Sequence, residues 1–209
     1  MKKLFCLLLS LMLLALCPAM AENVEDADAV QVMTSPNGDY SFEVPAGYFT
    51  MDAEWFASLM EQEEFQEILV NALGLPDAAA LQTNIQMIEA SNMMIVYASD
   101  FIANLNVQAT PASLTMDMLV AMKNTMDAAM IQQYATLGVA EEDIVPMDVQ
   151  QIGTYRWYGL KLTMAGMQMQ TAITVVDGVQ YTITFTGLEE AAVQHVLESF
   201  QVIAPAAEE

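Results

Sequence analysis

The sequence predicts an α+β fold, an α/β/α sandwich in which helices cover a mainly antiparallel sheet. Residues 143–187 contain four β-prone runs separated by short turns, which is typical of an antiparallel meander. Segments before and after this meander carry apolar residues at helical spacing. Because no repeat or low-complexity linker interrupts residues 30–204, we treat them as a single domain.

The first 21 residues have the pattern of a secretory signal peptide. Lys2 and Lys3 precede an apolar run, and Ala19 and Ala21 form a small-residue cleavage site. The run is too short for a membrane span, which needs about 20 apolar residues. We therefore expect cleavage after Ala21 and a secreted or extracytoplasmic protein without a transmembrane segment.

Both cysteines of the chain, Cys6 and Cys17, lie in this leader. Lipidation at Cys17 is the alternative to free export, but the bulky Leu16 before it and Pro18 after it disfavour that alternative. The processed chain would have no thiol for a disulfide, a zinc site or nucleophilic catalysis. Its stability would depend on packing.

The processed chain is strongly acidic. All 27 acidic residues lie after the leader, against three basic residues, Lys123, Arg156 and Lys161, which gives a formal charge of −24. A field of this sign repels phosphate backbones and anionic lipid surfaces. The charge excludes nucleic acid as a partner and otherwise favours solubility.

The N-terminal part begins with a flexible acidic tether, residues 22–29, followed by a predicted hairpin that turns at Pro36–Gly38. After it, Asp52 is a plausible N-cap for helical spacing that ends at Gly74, and a further helical piece is expected over Asp77–Glu89. Together they form a helical insertion over residues 52–90 with no assigned role. A tail, residues 205–209, closes the chain.

The central and C-terminal parts predict further strands and helices. Met93–Tyr97 and Leu105–Val107 fit a strand pair, and an apolar stripe from Leu119 to Leu137 predicts one long amphipathic helix. A closing helix is expected over Leu188–Phe200. His195, the only histidine, lies beside the apolar face of that helix, so we interpret it as an incidental flank residue.

Three segments carry a family resemblance. They are "NGDYSFEVPAGY", "YASDFIANLNVQATP" and "GVQYTITFTGLEEAAVQHVLESFQV". They resemble the PsbP-like superfamily, which includes the extrinsic P protein of photosystem II, Mog-type Ran-binding proteins and exported DcrB-like bacterial proteins. The resemblance implies an α/β/α sandwich in a protein that binds or assists and does not catalyse. No family site residue is carried over.

The sequence shows no catalytic motif. It has no G-x-S-x-G elbow, no P-loop and no dinucleotide fingerprint, and His195 has no recognisable catalytic partners. We interpret the densest acidic clusters, residues 60–67 and 139–148, as solvent-exposed faces. A pair of carboxylates can nevertheless catalyse glycoside hydrolysis without any other residue type. We name no catalytic, cofactor-binding or metal-ligating residue and no cofactor.

Two other residue classes are candidates for binding. The methionines Met122, Met126 and Met130 stand four positions apart, and Met167 and Met169 share a strand face; we interpret them as core packing, with Cu(I) binding as the alternative. The aromatic residues Trp55, Tyr155, Trp157 and Tyr158, with Arg156 among them, are candidates for a recognition surface. Alternation predicts that one set is buried.

The sequence therefore predicts a secreted, non-catalytic binding or accessory module of the bacterial cell envelope with an unknown ligand. The partner is expected to be a protein or another envelope component. Two alternatives remain: a carboxylate-dependent extracellular hydrolase acting on carbohydrate, and a protein that handles calcium or copper. The oligomeric state does not follow from the sequence.

Overall fold

The structure is a computed structural model that describes residues 29–50, 66, 70, 76–90, 93–98, 103–164 and 166–203. The predicted leader, Trp55 and the tail lie outside these residues, as does the helical segment expected from Asp52 to Gly74 apart from residues 66 and 70. The described helices are α1 (Ala78–Ala90), α2 (Met116–Ala121), α3 (Lys123–Ala135) and α4 (Glu190–Ser199), with a 3-10 turn at Glu141–Asp143. None of these helices combines the length and apolar character needed to cross a bilayer.

The strands form two antiparallel sheets. They are β1 (Val30–Thr34), β2 (Tyr40–Pro45), β3 (Tyr48–Thr50), β4 (Met93–Ala98), β5 (Asn104–Pro111), β6 (Ile144–Ile152), β7 (Tyr155–Met164), β8 (Met167–Val176), β9 (Val179–Thr186) and β10 (Gln201–Val202). The small sheet has the order β1-β2-β10, and the seven-stranded sheet has the order β3-β4-β5-β9-β8-β7-β6. The predicted α+β class is confirmed.

The predicted hairpins occur where turn residues stand in the sequence. Gly38 has a φ of +73° in the turn between β1 and β2, a conformation that glycine adopts without strain. Asp177 and Gly178 both have positive φ between β8 and β9, as a two-residue hairpin loop requires. The predicted meander β6–β9 is therefore confirmed.

The seven-stranded sheet is covered on both faces. On one face α4 and the small sheet enclose the main core, which centres on Phe200 and the rings of Tyr40, Trp157 and Tyr181. On the other face α2 and α3 pack against strands β6–β8 through two smaller apolar clusters. Successive strand residues point to opposite faces, so both sets of strand side chains become buried.

The predicted long helix is wrong in one respect. It divides at Met122 into α2 and α3, and the Met122 side chain is 42% exposed. Met126 and Met130 do pack partly against the sheet. Met116 and Leu119 are the buried residues of α2, whereas Met122 at the break is exposed.

Candidate binding cleft

A cleft of about 240 Å³ lies between helix α4 and strands β6, β7 and β8. Its polar lining is contributed by Asp148, Gln150, Lys161, Gln170, Glu190 and Gln194. The arrangement follows from the sheet order, because these three strands are neighbours at one end of the seven-stranded sheet and α4 crosses the same face. Polar groups from three strands and one helix therefore meet in one concave site.

Two of the three charged groups of this lining form an ion pair. The Lys161 ammonium donates to both carboxylate oxygens of Glu190, with Nζ–Oε distances of 2.8 and 2.9 Å. The side chains are 41% and 81% exposed, respectively. Exposed pairs of this kind contribute only about 0–1 kcal/mol, so water or a ligand can replace either partner at little cost.

Gln170 is the most enclosed polar group of the cleft. It is 9% exposed and lies opposite Lys161 in the register of β7 and β8. Its carboxamide makes no hydrogen bond to another residue in the described part of the chain, yet the residue lines the cleft. The carboxamide atoms are not among the fully enclosed polar atoms of the structure, so water or a ligand in the cleft can reach them.

A bulge in β6 aims two more side chains at the cleft. The register with β7 shifts between Met147, which pairs with Gly159, and Gln150, which pairs with Trp157. Without the extra residue, positions three apart would point to opposite faces. Because of the bulge both Met147 and Gln150 line the cleft below α4.

Asp148 lies in this bulge and extends the lining toward the opposite face. Its carboxylate is 4.0 Å from the ammonium of Lys123, which also contacts Asp127 at 2.7 Å. The charge of Asp148 is thus partly offset from outside the cleft. The lining as a whole has no large net charge.

His195 lies outside the cleft lining, on the side of α4 that faces β2. Its Nε2 atom is 3.1 Å from a carboxylate oxygen of Glu43, without the angle of a hydrogen bond, and both side chains are 39% exposed. Nearby, the hydroxyl of Ser199 accepts from the backbone N–H of Glu43 at 2.9 Å. These contacts join the helix to the small sheet, so His195 has a structural position.

The aromatic candidates within the described ranges, Tyr155, Trp157 and Tyr158, do not form an exposed surface. Trp157 and Tyr158 are 2% and 1% exposed and lie in the cores on opposite faces of the sheet. Tyr155 is half-buried against Phe200, and its hydroxyl accepts from the backbone N–H of Val202 at 3.1 Å. The sequence predicted one buried set, but covering on both faces buries Trp157 and Tyr158 alike, and Arg156 beside them stays exposed.

The remaining candidates are scattered. Met167 and Met169 share a face as predicted, and Met169 is buried in an apolar cluster. The acidic residues Glu141–Asp143 form an exposed 3-10 turn, whereas the cluster at residues 60–67 lies almost entirely outside the described residues. Within the described part, no three His, Cys, Asp or Glu side chains converge in a way that could hold a metal ion.

A second buried polar group lies elsewhere, on the face of the sheet opposite α4. Asn104 pairs with Thr186 in register and with Tyr97 on its other side. The amide of Asn104 and the hydroxyl of Thr186 are buried and make no hydrogen bond to any described residue. Burial raises the pKa of the Tyr97 phenol well above its usual value, so the group is neutral.

The cleft residues were not identified from the sequence. In the strand Met167–Val176, Gln170 alternates with Met169 and Thr171, a pattern that normally places a glutamine in solvent. The only signal in the sequence was that Gln170 lies on the same strand face as Ala172 and Thr174, which the structure shows to be buried. Nothing in the sequence indicated that Lys161 and Glu190 would meet there.

The fold is similar to solved structures, and no protein-family model and no curated protein matches the sequence. The solution structure of cyanobacterial PsbP from Synechocystis matches 89% of this chain and 99% of that protein, with 14% identity and a TM-score of 0.50. A crystal structure from Bacteroides thetaiotaomicron matches 83% of this chain at 13% identity and a TM-score of 0.43. The chain spans about half of that second protein, 48% of its length. The fold is therefore PsbP-like.

Proposed function

We propose that this chain is an exported member of the PsbP-like superfamily that acts as a non-catalytic binding or accessory module of the bacterial cell envelope. The observation that carries the proposal is the fold match to cyanobacterial PsbP, which extends over nearly the whole of both proteins. The resemblance of three sequence segments to the same superfamily agrees with it. Fold alone does not determine activity, so the site must be considered separately.

The cleft below α4 supports binding as the activity. It combines the amide of Gln170, the partly exposed ion pair of Lys161 and Glu190, and the buried aliphatic residues Ile152, Val193 and Leu197. Such a mixture of apolar surface and a few convergent polar groups is typical of a ligand site. The predicted leader would place this site outside the cytoplasm.

The alternatives from the sequence, a carboxylate-dependent hydrolase and a calcium- or copper-handling protein, stay untested predictions. No contact among the described residues specifically favours either of them. They are best addressed by the same preparation of protein, with carbohydrate substrates and with the two metals.

Export is tested by expressing the full chain in a bacterial host and measuring the intact mass of the extracytoplasmic product. The expected result is a mature protein that begins at Glu22. A Leu9→Arg variant, which interrupts the apolar run, should remain unprocessed in the cytoplasm. If the product carries a lipid that disappears in Cys17→Ser, the free-export prediction is wrong.

The binding role is tested by crosslinking the exported protein in its native envelope and identifying the components attached to it by mass spectrometry. We expect a reproducible partner together with no turnover of polysaccharide substrates. Hydrolysis by the purified protein, with loss of hydrolysis after substitution of acidic residues, would contradict the non-catalytic role.

A further inference from the structure

Strand β1 is the open edge of the small sheet. It pairs with β2 on one side, and β2 separates it from β10, so no described strand pairs with its other side. Ala29 and Ser35, which flank β1, both hydrogen-bond to the arm of the hairpin that contains β2, at 2.7 and 2.9 Å. Backbone groups alternate in direction along an antiparallel strand. The N–H and C=O groups of Val30, Val32 and Thr34 therefore point away from β2.

The side chains on this edge are accessible as well. Val30 and Val32 are 53% and 64% exposed on the outer face of the small sheet. On the inner face Met33 is buried, and the amide of Gln31 donates to the backbone carbonyl of Tyr48, so β1 is held in place. A strand that is already ordered loses little further freedom when another strand pairs with it.

The two ends of the seven-stranded sheet differ from β1. At one end β3 has only three residues, and at the other end β6 contains Pro146 and a bulge between Met147 and Gln150. Short strands, prolines and bulges are the usual protections against the addition of a foreign strand. Strand β1 has no proline, no bulge and no charged side chain. Among the described edges, β1 is therefore the one suited to accept another strand.

The charge around β1 indicates the character of that strand. Glu43 lies opposite Val32 in the register of β1 and β2, on the same face. The sequence directly before β1 contains four acidic residues, Glu22, Glu25, Asp26 and Asp28, and the whole chain has a formal charge of −22. Repulsion between like charges opposes pairing of this edge with a second copy of the chain, and the same field attracts a cationic segment.

We propose that β1 is a docking edge at which an extended, cationic segment of another protein adds to the small sheet as a fourth strand. Backbone groups of the segment bond to those of Val30, Val32 and Thr34, and its apolar side chains pack beside the two valines. Its lysine or arginine side chains are attracted by the acidic residues around β1. This proposal rests on the proposed binding role and specifies the surface and the class of partner.

The test is a titration of the isotope-labelled, purified chain with a synthetic octapeptide that alternates lysine and valine and has blocked ends, followed by two-dimensional NMR. We expect saturable shifts centred on β1 and at least tenfold slower hydrogen exchange at the amides of Val30, Val32 and Thr34. The same peptide with every backbone nitrogen methylated keeps its charge but loses its donors, so it should bind at least tenfold more weakly. A peptide with glutamate in place of lysine should cause no shifts.

Two exposed valines on edge strands provide matched variants. Val32→Lys adds a positive charge to β1 and should weaken binding of the cationic peptide at least tenfold. Val145→Lys makes the same change on β6, where the valine is 56% exposed, and should bind the peptide within about twofold of the natural chain. Val32→Pro removes an outward N–H without removing a bond to β2, so binding should fall at least tenfold while the chain still unfolds cooperatively.

Three outcomes would overturn the proposal: no saturable shifts at millimolar peptide, equal binding of the methylated peptide, or a dimer of the chain that Val32→Pro dissociates. Crosslinking in the native envelope separates these from a failure of the proposed function. If Val32→Lys still crosslinks to the same component as the natural chain, the accessory role stands and only the docking edge fails. If neither the peptide nor an envelope component binds, both the docking edge and the binding role fail.

Discussion

Thr186 offers a sharp test of how the sheet is stabilised. Its side chain is 1% exposed on β9, opposite Asn104, and its hydroxyl has no hydrogen-bond partner among the described residues. Thr186→Val keeps the shape and removes the unpaired hydroxyl. Since a buried unpaired polar group costs about 1–3 kcal/mol, the change should raise the free energy of unfolding by about 1 kcal/mol.

Ser35 supplies the matched control because its side chain is also a buried hydroxyl, but one that has hydrogen-bond partners. It is 4% exposed in the first hairpin. Its Oγ donates to the carboxylate of Asp39 and accepts from the backbone N–H groups of Asp39 and Tyr40 at 2.9 and 3.2 Å. Ser35→Ala removes these three hydrogen bonds and should lower the free energy of unfolding by about 1–3 kcal/mol.

The assay is equilibrium unfolding in urea, followed by circular dichroism and tryptophan fluorescence at pH 7. Coincident transitions with an unchanged slope would show that both changes act on stability and leave the two-state behaviour intact. The reasoning requires opposite signs for the two variants. If Thr186→Val destabilises by more than about 1 kcal/mol, its hydroxyl is paired in solution and the account is refuted.

Three further predictions concern the same domain. Gly159→Ala should lower the free energy of unfolding by more than about 3 kcal/mol in the urea assay, because a Cβ there would lie 1.7 Å from the backbone oxygen of Thr171. Gly166→Ala, where the Cβ would meet open space and φ is +80°, should cost about 1 kcal/mol. Equal losses for the two variants would contradict the argument. His195→Ala should change stability by less than about 1 kcal/mol at pH 7, since its contact with Glu43 is partly exposed, and a larger loss would give it a greater role than a half-buried contact. Stability should be constant up to about pH 9 and fall above about pH 10, because the unfolded state there releases phenolic protons that the folded state retains. Urea unfolding at several pH values, together with tyrosinate absorbance, checks this prediction. Ionisation of all tyrosines before unfolding would contradict it. Burial raises the pKa of Tyr40, Tyr97, Tyr158 and Tyr181, and the carboxylate of Asp127 adds to the increase at Tyr158.

Local chemistry was sufficient to predict the hairpins and the last helix. Positive-φ turn residues and strict alternation act within a few positions, so Gly38 and Asp177 could be interpreted from their neighbours alone. The pairing of β5 with β9, which joins the meander to the middle of the chain, depends on contacts such as Leu105 with Phe185. Partners 80 positions apart leave no periodic signal in one sequence.

Covering of the sheet on both faces explains the remaining differences. Alternation separates side chains into two sets but does not indicate whether a second helical layer covers the outer set. Trp157 and Tyr158 therefore both became buried, and Gln170 was placed under α4 and away from solvent. The spacing of the helical stripe likewise could not show that the helix divides at Met122.

The charge of the whole chain bears on which ligand the cleft admits. With a formal charge of −24 after the predicted leader, the long-range field opposes anions and favours cations. All three basic residues beyond the leader, Lys123, Arg156 and Lys161, already lie in ion pairs with acidic side chains. This field would repel a free anion, and a free cation could bind at many acidic sites outside the cleft. The affinity of a cationic partner should therefore fall as salt rises from about 0.01 to 0.1 M, because the Debye length falls from about 30 to about 10 Å.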